Sequence, residues 1–252
     1  MFKSHLSLFN DVPVRHGQFV VIAGGMGHYK TTMLRNITAA ALLSKLRVTH
    51  FTTESLADTE ATIIFRMASD PRMANGTKID LETVVSSVKN PHLSLNLSSL
   101  LNVHLILLPV TSRPNIILID DLQEYLPRDH RAAAGQLEAL RKVCVVYGVT
   151  IVATIRVAAS RLRPEGLEID DLPYSEIHRL ADTTIGLSVR DDLREFHSTI
   201  VSMILLKYRC SENPHPVRIR DVQVDMLFGL TSGVISDFTF PPQIVEYRPA
   251  TV

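Results

Sequence analysis

The segment Gly17-Gln18-Phe19-Val20-Val21-Ile22-Ala23-Gly24-Gly25-Met26-Gly27-His28-Tyr29-Lys30-Thr31-Thr32 changes character twice within its length. An apolar run rich in β-branched residues, Phe19 to Ile22, breaks into a glycine cluster. The chain then reaches Lys-Thr-Thr and continues into helix-forming residues from Met33 to Leu43. Strand, loop and helix in that order describe a phosphate-binding loop. Successive backbone N–H groups in such a turn form an anion-binding nest, and the following helix directs its positive N-terminus at the same point. The candidate nucleotide-binding residues are therefore Gly24, Gly25, Met26, Gly27, His28, Tyr29, Lys30, Thr31 and Thr32. Lys30 adds a full charge for the terminal phosphates, and the Thr31 hydroxyl is a candidate Mg²⁺ ligand.

Counted back from Lys30, the pattern G-x-x-x-x-G-K-[ST] finds its first glycine at Gly24 but meets Tyr29 where the second belongs. If the backbone there is left-handed, a Tyr costs roughly 1–2 kcal/mol that a glycine avoids. Gly25 and Gly27 offer places earlier in the loop to take up the turn. The bland reading is a glycine-rich turn between any strand and helix. The strand on one side and the helix on the other favour the phosphate-binding reading.

A chain of 252 residues with 46% hydrophobic and 21% charged residues is ordinary globular material, long enough for one large core. Twenty-six basic residues balance twenty-six acidic ones, so no global field marks nucleic acid or a membrane surface as partner. The two cysteines, Cys144 and Cys210, are far apart, which argues against a disulfide framework or a zinc site and suits a reducing compartment. No run approaches 18 uninterrupted apolar residues, and residues 1–5 lack a signal-peptide build. These features predict a soluble cytoplasmic chain without membrane contact. The expected organisation is a short lead-in, 1–16, followed by one α/β domain, 17–252.

Strands and helices alternate along that domain. A strand over Arg47 to Thr53 ends at Glu54, and Ser55 is placed to cap a helix over about Asp58 to Met67. Residues 70–100 read as a connecting excursion with one helix near Leu81 to Val88. Four aliphatics, Ile116 to Ile119, close on Asp120 and Asp121, the pattern of a central parallel strand that presents acid to a ligand cleft. This is a Walker B pattern. Asp120 is the second candidate Mg²⁺ ligand, with Asp121 or Gln123 beside it. A helix over Ala132 to Tyr147 buries Leu137, Leu140, Cys144 and Tyr147 on one face and ends at Gly148. Strands follow at Val149 to Thr154 and Thr183 to Leu187, then a hairpin-like pair, Thr199 to Tyr208 and Val217 to Val224.

The order of these motifs resembles a known family. The Gly17 to Thr32 segment, Thr53-Glu54-Ser55, Leu118 to Gln123, Val152-Ala153-Thr154 with Arg156, Leu180-Ala181-Asp182 and Leu206-Lys207-Tyr208-Arg209 are similar to the RecA-like ATPase domain of DnaB-type replicative helicases of bacteria and phages. The resemblance covers roughly residues 17–225. It implies a single RecA-like P-loop NTPase domain with a mainly parallel sheet, ATP and Mg²⁺ as cofactors, single-stranded DNA as partner, a homo-oligomeric ring such as a hexamer, and contacts with other replication proteins. It implies that Glu54 polarises the attacking water and that Lys207 and Arg209 reach the nucleotide of a neighbouring subunit. The family places a phosphate-sensing Gln at the end of the strand after Walker B, where this chain has Arg156. The sixteen-residue lead-in lacks the family's amino-terminal domain and linker helix.

Each residue has a plainer reading. Glu54 as a helix-start acid is worth only a few tenths of a kcal/mol to about 1. Lys207 and Arg209 alternate on a strand and share a face, which on an edge strand often serves only solvation. The loop carrying Arg156, Arg161 and Arg163 can track a phosphate backbone, but Glu165, Glu168, Asp170 and Asp171 follow closely and can equally neutralise it. The expected activity is an ATP-dependent DNA helicase or translocase. The alternatives are a nucleotide-binding regulatory or assembly protein with weak or no hydrolysis, and a recombinase-like filament ATPase.

Overall fold

The computed structural model describes residues 16–70, 73, 78–90, 109–162, 166–195, 198–210, 213–217, 223–229 and 235–237. The Phe19 to Ile22 run forms β1 (Phe19–Gly24), every residue of it buried. The phosphate-loop helix α1 (Lys30–Leu43) begins at the lysine itself, earlier than Met33. Then come β2 (Val48–Thr52), α2 (Leu56–Ala68), α3 (Leu81–Ser87), β3 (Val88–Lys89), β4 (Ile116–Asp120), α4 (Leu122–Tyr125), α5 (His130–Tyr147) and β5 (Thr150–Arg156). The chain closes with α6 (Ser175–Leu180), β6 (Thr183–Glu195), β7 (Ser198–Cys210), β8 (Asn213–Val217), β9 (Gln223–Gly229) and β10 (Ile235–Asp237).

The strands form one sheet in the order β10-β9-β7-β6-β1-β5-β4-β2-β3, with β8 paired to β7. From β6 to β3 the strands run parallel; β7 to β10 add antiparallel strands at the other side. The expected mainly parallel α/β sheet is what the chain forms. Two strand expectations differ. The second hairpin arm, Val217 to Val224, is divided between the end of β8 and the start of β9, and residues 218–222 lie outside the described ones. β3 also pairs with β2, so the 70–100 excursion adds a short strand to the sheet.

Period-2 alternation sorts the sheet's side chains into two cores. Val20 and Ile22 face Met33, Leu34 and Ile37 of α1 and Ile63 and Met67 of α2. Phe19, Val21 and Ala23 face Leu137, Leu140 and Cys144 of α5. Gly148 ends α5 at φ 63°, the left-handed stop expected of it. Asp182, in the Leu180-Ala181-Asp182 motif, pins the opposite end of the sheet from the phosphate loop. Its buried carboxylate accepts the Phe19 N–H at 2.9 Å and pairs with Arg141 at 2.9 Å.

One buried group sets an acid limit. His50 of β2 is fully buried with Nδ1 2.9 Å from Thr38 Oγ1. Burial first, and the Arg35 charge second, push its pKa from 6.5 down to about 3. The unfolded chain therefore takes up a proton that the folded chain refuses. This contribution to stability is complete above pH 6.5 and is lost as pH falls from there toward 3, at about 1.4 kcal/mol per unit. Denaturant unfolding at pH 7 and pH 5 should show wild type losing about 2 kcal/mol more than His50→Asn across that interval. Equal losses in the two proteins would contradict this account of His50.

Candidate active site

Parallel registry brings the carboxyl ends of four strands into line. Gly24 of β1 is level with Arg156 of β5, and Thr52 of β2 is level with Asp120 of β4. The loop leaving β1 closes over this edge. Tyr29 adopts φ 58° and ψ 24°, so the left-handed conformation expected at its position is present and is held by a non-glycine residue. Gly27 (φ 76°) takes a second left-handed turn in open space. Gly25 is needed for close approach, because a Cβ there would lie 2.6 Å from Leu162 Cδ1 and 3.0 Å from His28 Nε2. His28 Nδ1 donates to the Leu187 carbonyl at 2.9 Å and anchors the loop to β6, while Met26 stands exposed at its tip.

The start of α1 has no side-chain cap and no acid in its first turn, whereas Ser55, Asp80 and Asp129 cap α2, α3 and α5. An uncapped N-terminus leaves its N–H groups and dipole to an external anion. Lys30 Nζ, buried, donates to the Gly25 carbonyl at 2.8 Å. Burial pulls its pKa down, and the nearby Asp121 and Asp120 carboxylates oppose that shift. Thr31 and Thr32 follow in the first turn of α1, both half-buried.

Asp120 is buried, with one carboxylate oxygen accepting from Thr154 Oγ1 at 2.6 Å. Asp121 is pushed up to about 6, chiefly by burial and then by Asp120, against Lys30 and Arg156. Its Oδ1 is buried without a hydrogen-bond partner, and its Oδ2 lies 3.5 Å from Arg156 Nη2. Two adjacent buried carboxylates with an orphaned oxygen, beside a threonine and a lysine, suit a hydrated Mg²⁺ held partly by phosphate. Gln123 does not face this cation site. Its amide donates to the Arg156 carbonyl at 3.0 Å and accepts the Arg156 N–H at 2.7 Å, fixing the end of β5.

Glu54 follows the end of β2, its N–H bonded to Thr52 Oγ1 at 3.1 Å. Its carboxylate is half exposed and ion-paired with Arg35 of α1. Arg35 lies one helical turn past Thr31 and was not singled out in the sequence. The i, i+4 spacing on α1 is the signal that could have found it. Its other contacts are with Thr59 Oγ1 at 3.1 Å and Thr62 Oγ1 at 3.5 Å on α2.

The remaining expected site residues sit elsewhere. Lys207 and Arg209 share one face of β7, as strand alternation requires, but β7 is interior, between β6 and β9. The expectation that Lys207 projects toward a neighbour is corrected. Lys207 is 1% exposed, and its Nζ donates to the Ala181 carbonyl at 2.6 Å and to the carbonyl of His178, at the end of α6. The physical reason is a set of α6 carbonyls left without helical partners, which a lysine satisfies well. Burial and then Arg209 push Lys207 down to about 8. Arg209 is partly exposed, donating to the Arg179 carbonyl at 3.2 Å and lying 4.0 Å from Asp182. Both residues stand at the Phe19 end of the sheet, about 17 Å from the Gly24 end at ~3.3 Å per residue. Arg161 is turned inward onto the Asp171 and Leu172 carbonyls at 3.4 and 3.1 Å, so it does not line up with Arg156 as a phosphate-tracking row. Arg163 lies outside the described residues. Among the described residues no helix is long and apolar enough to cross a membrane.

Sheet order and the loop at its edge define a RecA-like P-loop fold. Solved structures of the same fold include a separately solved ATPase domain of the DnaB-like helicase type (TM-score 0.70, 14% identity, covering 94% of this chain and 91% of that one). A DnaB-like replicative helicase described with its interactions with primase is equally similar (TM-score 0.70, 13% identity, 94% of this chain, 63% of that one). A KaiC-like protein from Pyrococcus horikoshii shares the fold as well (TM-score 0.58, 15% identity, 89% of this chain, 90% of that one). No protein-family model matches the sequence, and no curated protein matches it.

Proposed function

We propose that this chain hydrolyses ATP with Mg²⁺ and uses the cycle to move on single-stranded DNA, as a motor of the replicative-helicase type. The observation that carries the ATPase reading is the convergence of Lys30, Thr31, Asp120, Asp121 and Glu54 at one sheet edge, beside an uncapped helix N-terminus. The likeness to the two helicase-type structures supports the choice of motor. The loop amides and Lys30 bind the triphosphate, Asp120 and Thr31 hold the cation, and Glu54 takes the proton of the attacking water. Mg²⁺, when bound, neutralises phosphate charge during transfer.

Assembly into a ring is part of the proposal. Within one chain Arg209 is too far from Lys30 to touch the same phosphate, so any role for it in hydrolysis belongs to a neighbour's site. Lys207 then acts as its buried support.

Strand displacement on a forked DNA substrate tests the motor reading. Unwinding with ATP and none with ATPγS is the expected outcome. ATP turnover that neither responds to single-stranded DNA nor yields unwinding would instead favour a nucleotide-binding regulatory protein on the same fold.

A further inference from the structure

The Arg35–Glu54 pair is built more fully than a surface salt bridge requires. Arg35 has a side chain only 13% exposed, whereas Glu54 is 50% exposed, so a buried guanidinium reaches outward to the acid. Three groups hold its fork: Glu54 Oε2, Oγ1 of the fully buried Thr59 at 3.1 Å and Thr62 Oγ1 at 3.5 Å. Its Nε is buried without a hydrogen-bond partner. The titratable groups on which its charge acts are themselves bases. Arg66, buried on α2, donates to Asn36 Oδ1 at 2.8 Å, and Arg35 depresses both Arg66 and His50. A cation placed beside other bases, with an unmet donor, works against the local fold. Glu54 is its described carboxylate partner.

Arg35 also stands on α1, one turn beyond Thr31, so it is rigidly continuous with the phosphate loop. We propose that Arg35 is the positioning residue of Glu54: it fixes the direction of the Glu54 carboxylate relative to the loop that holds the nucleotide, by a fork clamped on the Thr59 and Thr62 hydroxyls. This inference rests on Glu54 being the hydrolytic base. A planar fork with three partners sets direction as well as charge, and a lysine in its place keeps the charge alone.

The test measures kcat and KM for ATP, together with ATPγS affinity by fluorescence titration. The proteins compared are wild type, Arg35→Ala, Arg35→Lys, Glu54→Gln and the Arg35→Ala/Glu54→Gln double variant. Arg35→Ala is expected to lower kcat on the order of 10- to 100-fold, the scale of misplacing a reacting group. ATPγS affinity should stay within about twofold, because the contacts of Arg35 are to Glu54 and α2 rather than to the loop, and the double variant should turn over no slower than Glu54→Gln alone. Arg35→Lys should fall between wild type and Arg35→Ala, and it carries the test if Arg35→Ala does not fold. Unchanged kcat in Arg35→Ala and Arg35→Lys, or a double variant slower than Glu54→Gln by the full single-variant factor, would overturn the inference. Glu54→Gln turning over like wild type would instead overturn the base assignment on which it rests.

Discussion

Lys30→Ala should remove measurable ATP binding. Lys30 Nζ is a buried cation on the loop's own Gly25 carbonyl, and the opposing charges that act on it are Asp121 and Asp120. Truncating one partner of a buried, hydrogen-bonded charge interaction costs about 2–5 kcal/mol, roughly 30- to 5,000-fold in Kd. The variant also leaves two adjacent carboxylates without their lysine, so the site becomes more repulsive to a polyanion. Titration with a fluorescent ATP analogue reads the effect, and wild-type affinity in Lys30→Ala would remove the phosphate-loop assignment.

Glu54→Gln should keep ATP binding and lower kcat by about 10²-fold or more, as expected when a positioned base is lost. Arg35 adds a second consequence. The amide can still accept its hydrogen bond but no longer balances its charge, and with the acid half exposed the stability cost should stay near about 1 kcal/mol. Stopped turnover with a nearly unchanged melting temperature is therefore the expected pairing. Normal turnover would move the base elsewhere, with Asp121 the next acid at the edge.

The chain's local chemistry was legible where a single stretch carries its own signal. The Phe19 to Lys30 transition, the Ser55 cap, the aliphatic run into Asp120 and the Gly148 stop each depend on neighbours a few residues away. Tyr29 shows the same thing from the other side: the pattern demanded a left-handed residue, and the backbone supplies one without glycine. Long-range packing was not legible in this way. Alternation on β7 places Lys207 and Arg209 on one face, but nothing nearby in the sequence says that the end of α6 covers that face and accepts the lysine's hydrogen bonds. Arg161 turns inward for a similar reason, since the carbonyls it meets come from residues 171 and 172. Arg35 was missed because a cation on a helix gains meaning only once β2 delivers Glu54 beside it.

Arg156 carries a lesson of its own. At a position where the resemblance implies a phosphate-sensing Gln, the guanidinium lies against Asp121, and Gln123 holds the backbone beneath it. The substitution therefore comes with its own counter-charge and support. Asp121 serves it as well as the cation site, which couples the two.

Steady-state ATP turnover by the unaltered chain, measured with and without Mg²⁺ and with Glu54→Gln as the baseline, tests the central claim most directly. Turnover that requires Mg²⁺ and exceeds the Glu54→Gln baseline by about 10²-fold is the predicted result. Turnover indistinguishable from Glu54→Gln in the presence of Mg²⁺, by protein that binds ATP, would contradict it.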